Sequence, residues 1–115
     1  MSKTSRRAAT ARLLKSAALF AALGDGTRLE IVSKLADGSQ QSITQLTAGA
    51  DVTRQAITKH LRVLETAGIV QSAKSGRETL FALQPRSLEE AQRALAAVSE
   101  QWDAALARLK DFVEK

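Results

Sequence analysis

The chain has 115 residues, of which 44% are apolar and only 3% aromatic, and it carries a net charge of +5. That length suits one modest core built from Leu, Ile, Val and Ala, without a second domain carrying its own cleft. With no cysteine and one histidine, the chain lacks disulfides, thiolate metal sites and the ligands for an ordinary zinc site, so neither metal nor other cofactor is expected.

The charge is unevenly placed. Residues 1–24 hold Lys3, Arg6, Arg7, Arg12 and Lys15 with no acid. Residues 53–77 hold Arg54, Lys59, Arg62, Lys74 and Arg77 against Glu65 alone. Two basic patches on an otherwise slightly acidic chain point to a polyanionic partner. Residues 1–9 read as a flexible basic tail. The apolar run Ala17 to Leu23 is short and leads straight into a capped helix, so it reads as structure rather than a cleaved leader. No stretch approaches the ~18–20 apolar residues of a membrane span.

In chain order, Leu13, Ala17, Phe20 and Ala21 recur at helical spacing and predict a first helix from Thr10 to Leu23. Gly24 is expected to end it in a left-handed conformation. Asp25 is a candidate N-cap for a second helix to about Ala36, with Leu29, Val32, Leu35 and Ala36 facing inward. Ser42 to Gln45 has capping-box form and opens a short third helix, broken at Gly49 to Asp51. Thr53 caps a fourth helix that runs to Ala67 and stops at Gly68. Two helices joined by a short glycine-containing turn form the helix-turn-helix pattern.

Ile69 to Ala73 and Glu78 to Leu83 then predict a β-hairpin, with Lys74-Ser75-Gly76-Arg77 at its tip. Ser87 to Glu90 is a second capping-box pattern and starts a final helix over about 87–113. Along it, Leu88, Ala91, Leu95, Val98, Trp102, Ala105, Leu109 and Phe112 alternate spacings of three and four. An a/d seam of this length must be buried. It can pack on its own domain, but pairing with a second copy is favoured because the domain is small. The expected dimer interface combines Leu13, Ala17 and Phe20 of the first helix with Leu95, Val98, Trp102, Leu109 and Phe112 of the last. The expected fold is mainly α with a small β-hairpin wing, a winged helix-turn-helix of about five helices in one domain over 10–115.

The fourth helix separates two kinds of chemistry. At about 100° per residue, Ile57, Leu61 and Leu64 define an inner face flanked by Ala56, His60, Val63 and Ala67. The opposite face gathers Gln55, Thr58, Lys59, Arg62 and Thr66, with Arg54 toward the edge. A solvated face usually mixes acids with its bases, and this one has none before Glu65. An amide, hydroxyls and cations suit a major groove: Gln can pair with adenine, Lys or Arg with guanine, and Thr with phosphate or the thymine methyl. Thr53 and Arg54 lie where the positive end of the helix dipole meets phosphates. His60 is either a partly buried imidazole holding a neighbouring group or a phosphate contact. Lys74 and Arg77 either reach the minor groove or phosphates, or supply ordinary turn polarity.

Leu23-Gly24-Asp25-Gly26-Thr27-Arg28-Leu29 followed by Ile31 resembles the Leu-x-Asp-Pro-Thr-Arg opening of the arsenic-repressor-like (ArsR/SmtB-type) winged-helix regulators. The run from Thr53 to Leu64 resembles their recognition helix, and Ala67 to Val70 with Gly76 to Leu83 resembles their wing. The resemblance implies a homodimeric repressor of the bacterial cytoplasm that binds an imperfect palindrome in double-stranded DNA. It also implies DNA contacts at Thr53, Gln55, Thr58 and His60. Gly26 replaces the usual proline, and the cysteines and Asp/His sets of the metal-sensing members are missing. This places the chain with the branch that lacks metal sites, and no particular small-molecule effector is implied. A winged-helix module that docks on another protein is the alternative. No nucleophile–base pair or phosphate-cradling glycine motif suggests an enzyme.

Overall fold

The computed structural model describes residues 3–114. Its elements are α1 (Lys3–Lys15), α2 (Ala17–Leu23), α3 (Gly26–Lys34), β1 (Gln41–Ser42) and α4 (Ile43–Thr47). There follow α5 (Arg54–Thr66), β2 (Val70–Ser75), β3 (Glu78–Leu83) and α6 (Pro85–Glu114). Six helices and a three-stranded antiparallel sheet of order β1-β3-β2 make a winged helix-turn-helix. By their contacts the described residues group into two units. One comprises residues 18–88, and the other the described residues up to 17 with those from 89 onward.

The expected basic tail is helical from Lys3, with Met1 and Ser2 outside the described residues. Arg6, Arg7 and three alanines are strong helix formers, and no Gly or Pro interrupts them. The expected first helix is divided at Ser16, which raises the helix count to six. There the Ser16 N–H turns to the Leu13 carbonyl at 3.0 Å and its hydroxyl to the Arg12 carbonyl at 3.3 Å. A serine hydroxyl competing for backbone groups is a known cause of such breaks.

Gly24 does not adopt the expected left-handed conformation. Instead the chain bends at Asp25, which has an extended backbone (φ −123°, ψ 133°) and whose side chain caps α3 by accepting from the Arg28 N–H at 3.1 Å. Ile31 and the C-cap residue Leu35 are buried and Val32 is half-buried, whereas Leu29 and Ala36, both expected inside, are exposed. Gly26 occupies the first helical position, and a side chain there would meet nothing within 4 Å. The extended Asp25 already has the conformation a following proline demands. Gly26→Pro is therefore expected to stabilise the protein by about 0.4–1 kcal/mol through the unfolded chain, read as a higher midpoint in urea.

Ser42 forms the expected capping box with Gln45: the serine N–H donates to Oε1 at 2.8 Å, and the Gln45 N–H to the serine hydroxyl at 3.2 Å. Gln41 and Ser42 also pair with Phe81 and Leu80, adding a strand that two polar residues alone do not announce. α5 ends in a Schellman motif. The Ile69 N–H returns to the Leu64 carbonyl at 2.9 Å, the Gly68 N–H to Glu65 at 3.0 Å, and Gly68 takes φ +79°. Leu64 and Ile69, the apolar pair this motif brings together, are both fully buried. The core of the 18–88 unit gathers Ile31, Leu35, Leu46, Ile57, Leu61, Leu64, Ile69, Val70 and Phe81.

The hairpin is tighter than expected. Ser75 pairs with Glu78, so only Gly76 and Arg77 form the loop, with Gly76 at φ +64°. Lys74 consequently stands within β2 opposite Thr79, not at the tip. The last helix begins at Pro85, so the expected cap at Ser87 lies inside it. Proline has no N–H to leave unpaired and its φ is preset for the first helical position.

Candidate nucleic-acid interface

Thr53 leads into α5 with an extended backbone and accepts from the Ala56 N–H at 3.1 Å. Immediately after it, Arg54 donates to the Thr44 hydroxyl of α4 at 2.7 Å. This bond ties the two helices of the helix-turn-helix and holds a guanidinium at the start of α5. Ile57, Leu61 and Leu64 are buried, which fixes the rotation of α5 and leaves Gln55, Lys59 and Arg62 exposed, as the wheel places them. The Thr58 hydroxyl donates to the Arg54 carbonyl at 2.9 Å, so its proton is committed and its methyl and acceptor lone pairs remain.

Glu65, the one acid of this helix, accepts from the Ser72 hydroxyl on β2 at 2.6 Å. The carboxylate is thereby drawn toward the wing. Arg62 borders a groove of about 510 Å³ with Arg28, Ala18, Ala21, Val63 and Ala67. On the wing, Arg77 occupies the loop and Lys74 the strand, both exposed. All nine expected DNA-contact residues lie in the 18–88 unit.

His60 is half-buried, as its place beside the inner face implies. Its Nδ1 lies 3.3 Å from the Arg28 guanidinium and 3.9 Å from the Asp25 carboxylate. The Arg28 backbone N–H, with smaller contributions from the Arg28 and His60 charges, holds the Asp25 carboxyl below its usual range. This junction between α5 and the start of α3 is invisible to local patterning, because Arg28 and His60 stand 32 residues apart.

The expected interface residues are distributed between the two units. Leu13 is half-buried and Ala17 exposed, and both group with the part of α6 from 89 onward, whereas Phe20 belongs to the other unit. Along α6, Ala91 and Ala94 are buried and Val98 half-buried. Leu95, Trp102, Leu109 and Phe112 are 52–80% exposed, and Leu106 and Val113 extend this apolar surface. Among the described residues, no cluster of three or more His, Asp or Glu could hold a metal ion. No described helix is long and apolar enough to cross a membrane.

Residues 25–72 match the family model of the bacterial regulatory proteins of the arsR family. The chain is 42% identical over 66 residues to YuzN of Bacillus subtilis, an HTH-type transcriptional regulator, covering 52% of this chain and 72% of that one. It also aligns with an ArsR-like transcriptional regulator from Rhodococcus sp. RHA1 at 39% identity and a TM-score of 0.73, over 90% of this chain and 93% of the other. The chain belongs to the ArsR family. Like the other ArsR-family proteins it resembles, it is a DNA-binding transcriptional regulator with a winged helix-turn-helix fold. A third relative, the HTH-type transcriptional repressor SmtB of Mycobacterium tuberculosis, is 35% identical over 65 residues, 56% of this chain and 47% of that repressor.

Proposed function

We propose that this ArsR-family regulator is a homodimeric repressor in the bacterial cytoplasm that reads an imperfect palindrome in double-stranded DNA. Each protomer lays α5 in a major groove, and two-fold symmetry sets the half-sites about one helical turn (~34–36 Å) apart. The observation that carries the reading is the outer edge of α5. Gln55, Lys59 and Arg62 are exposed there, Arg54 is braced on Thr44, and the single acid is bonded to Ser72. In this reading Gln55 and Lys59 touch base edges, and Thr58 offers its methyl to thymine. Thr53, Arg54, His60 and Arg62 contact the backbone, and Lys74 and Arg77 follow it beyond the groove. The exposed apolar length of α6 supports pairing with a second copy.

Repression fits the name of the SmtB relative and needs only a dimer seated over a promoter. The functional test is fluorescence anisotropy with a random duplex at two salt concentrations. Affinity that falls steeply with salt is expected from released counterions, whereas binding indifferent to salt would favour a protein-docking module. Substitutions refine the test on a selected duplex. Gln55→Ala and Lys59→Ala are each expected to cost about 1–3 kcal/mol and to relax discrimination. Arg54→Ala should weaken all duplexes alike and lower the salt slope by about one. Equal losses on selected and random DNA for Gln55→Ala and Lys59→Ala would reject base readout by those residues.

A further inference from the structure

From the junction of α3 and α5 we infer that Arg28 is a positioning residue for DNA binding. It locks His60 in the tautomer whose Nε2–H is free to donate to a phosphate oxygen. The argument starts from donor inventory. A guanidinium carries five N–H donors and no acceptor. The Arg28 group faces Nδ1 of His60 at 3.3 Å, so that nitrogen must present its lone pair, since an N–H there would oppose another donor. The competing arrangement, with Nδ1–H donating to Asp25, has a separation of 3.9 Å, beyond hydrogen-bond range.

Arg28 is not free to swing away. Its Nε–H donates to the Ala22 carbonyl at the end of α2, and its backbone N–H is bound by the Asp25 cap. In neutral His60 the proton therefore resides on Nε2. That atom has no hydrogen-bond partner among the described residues, nor is it sealed from solvent. In its neutral form His60 is thus a donor of fixed orientation on the flank of the inner face of α5. Arg28, though it touches no DNA in this arrangement, decides which ring nitrogen can.

The role of Nε2 rests on the DNA-binding reading above, but the tautomer can be read without DNA. His60 is the only histidine in the chain, so an untagged sample gives one imidazole in a long-range proton–nitrogen NMR spectrum. Recorded at a pH where the ring carries a single proton, the expected spectrum shows an unprotonated Nδ1 and a protonated Nε2, and Arg28→Met is expected to abolish this single-tautomer pattern. A protonated Nδ1 in the unaltered protein would overturn the inference.

Two substitutions test the donor itself. In His60→Gln the side-chain amide reaches the place of Nε2, and in His60→Asn it replaces only Nδ1. His60→Gln is expected to bind a selected duplex within about twofold of the parent. His60→Asn should bind about 10- to 150-fold more weakly, the range for one lost hydrogen bond to a charged group. A neutral donor releases no counterion, so at the pH of that spectrum the ratio should be the same at two salt concentrations. The reverse order, with His60→Asn intact and His60→Gln impaired, would mean a purely structural histidine and overturn the role. If the expected spectrum came from a protein that bound no duplex, the functional reading would fail and take the role of Nε2 with it, while the tautomer lock would stand.

Discussion

Trp102→Glu combined with Leu109→Glu is expected to yield a monomer and to lower affinity for a two-half-site duplex by about 10²- to 10⁴-fold. The reasoning begins with burial. Trp102 and Leu109 expose 65% and 59% of their surface, and every described residue from 106 onward is exposed. A side chain of this size contributes roughly 1.5–3 kcal/mol when fully buried, so a row of them along one helix favours a partner strongly. Glutamate preserves helix propensity while placing charge in the proposed seam. Dissociation of the pair turns binding of the second half-site from an intramolecular into a bimolecular event, and this sets the size of the loss. Sedimentation velocity reads the oligomeric state and anisotropy the affinity. A variant that remains dimeric with parental affinity would remove the seam from the interface.

Leu64→Ala is expected to cost about 2–5 kcal/mol of stability, the range for truncating a buried leucine. Leu64 is fully enclosed, and its carbonyl also accepts the bond that closes the Schellman turn into β2. Against a total stability of about 5–15 kcal/mol for a typical domain, the loss shows as a large drop in the urea midpoint. Lys59→Ala, on the opposite face of the same helix, should change stability by no more than about 0.5 kcal/mol while impairing DNA binding. The contrast is the physical content of the two-faced helix: one side holds it in the fold and the other is left for the ligand. Equal destabilisation by both substitutions would contradict that division.

Much of this arrangement is written in local pattern. Thr53, Ser42 and Asp25 cap the helices their positions announce, and Ile57, Leu61 and Leu64 turn inward as their spacing requires. The exposure of Gln55, Lys59 and Arg62 follows directly from that rotation. What the pattern misses depends on partners distant in sequence. Gln41 and Ser42 become a strand only because Phe81 and Leu80 lie beside them. Arg54 reads as a phosphate contact, yet its bond to Thr44 also makes it a strut.

The departures at helix ends have a different origin. Two stop or start signals competed at each, and the stronger geometry prevailed. Pro85 preset the first turn of α6 ahead of Ser87, and the extended Asp25 made a left-handed Gly24 unnecessary. Leu29 is apolar and at helical spacing, yet it is exposed because α3 turns Ile31 and Leu35 into the core. Arg28 illustrates the limit most clearly, since its match to the family opening says nothing of the histidine it meets on another helix.

The most direct test of the proposed function is selection of bound duplexes from a random library, using the full chain. The prediction is an enriched inverted repeat whose half-site centres lie about one helical turn (~34–36 Å) apart. Recovery of unenriched sequence, or of one unpaired site, would contradict it.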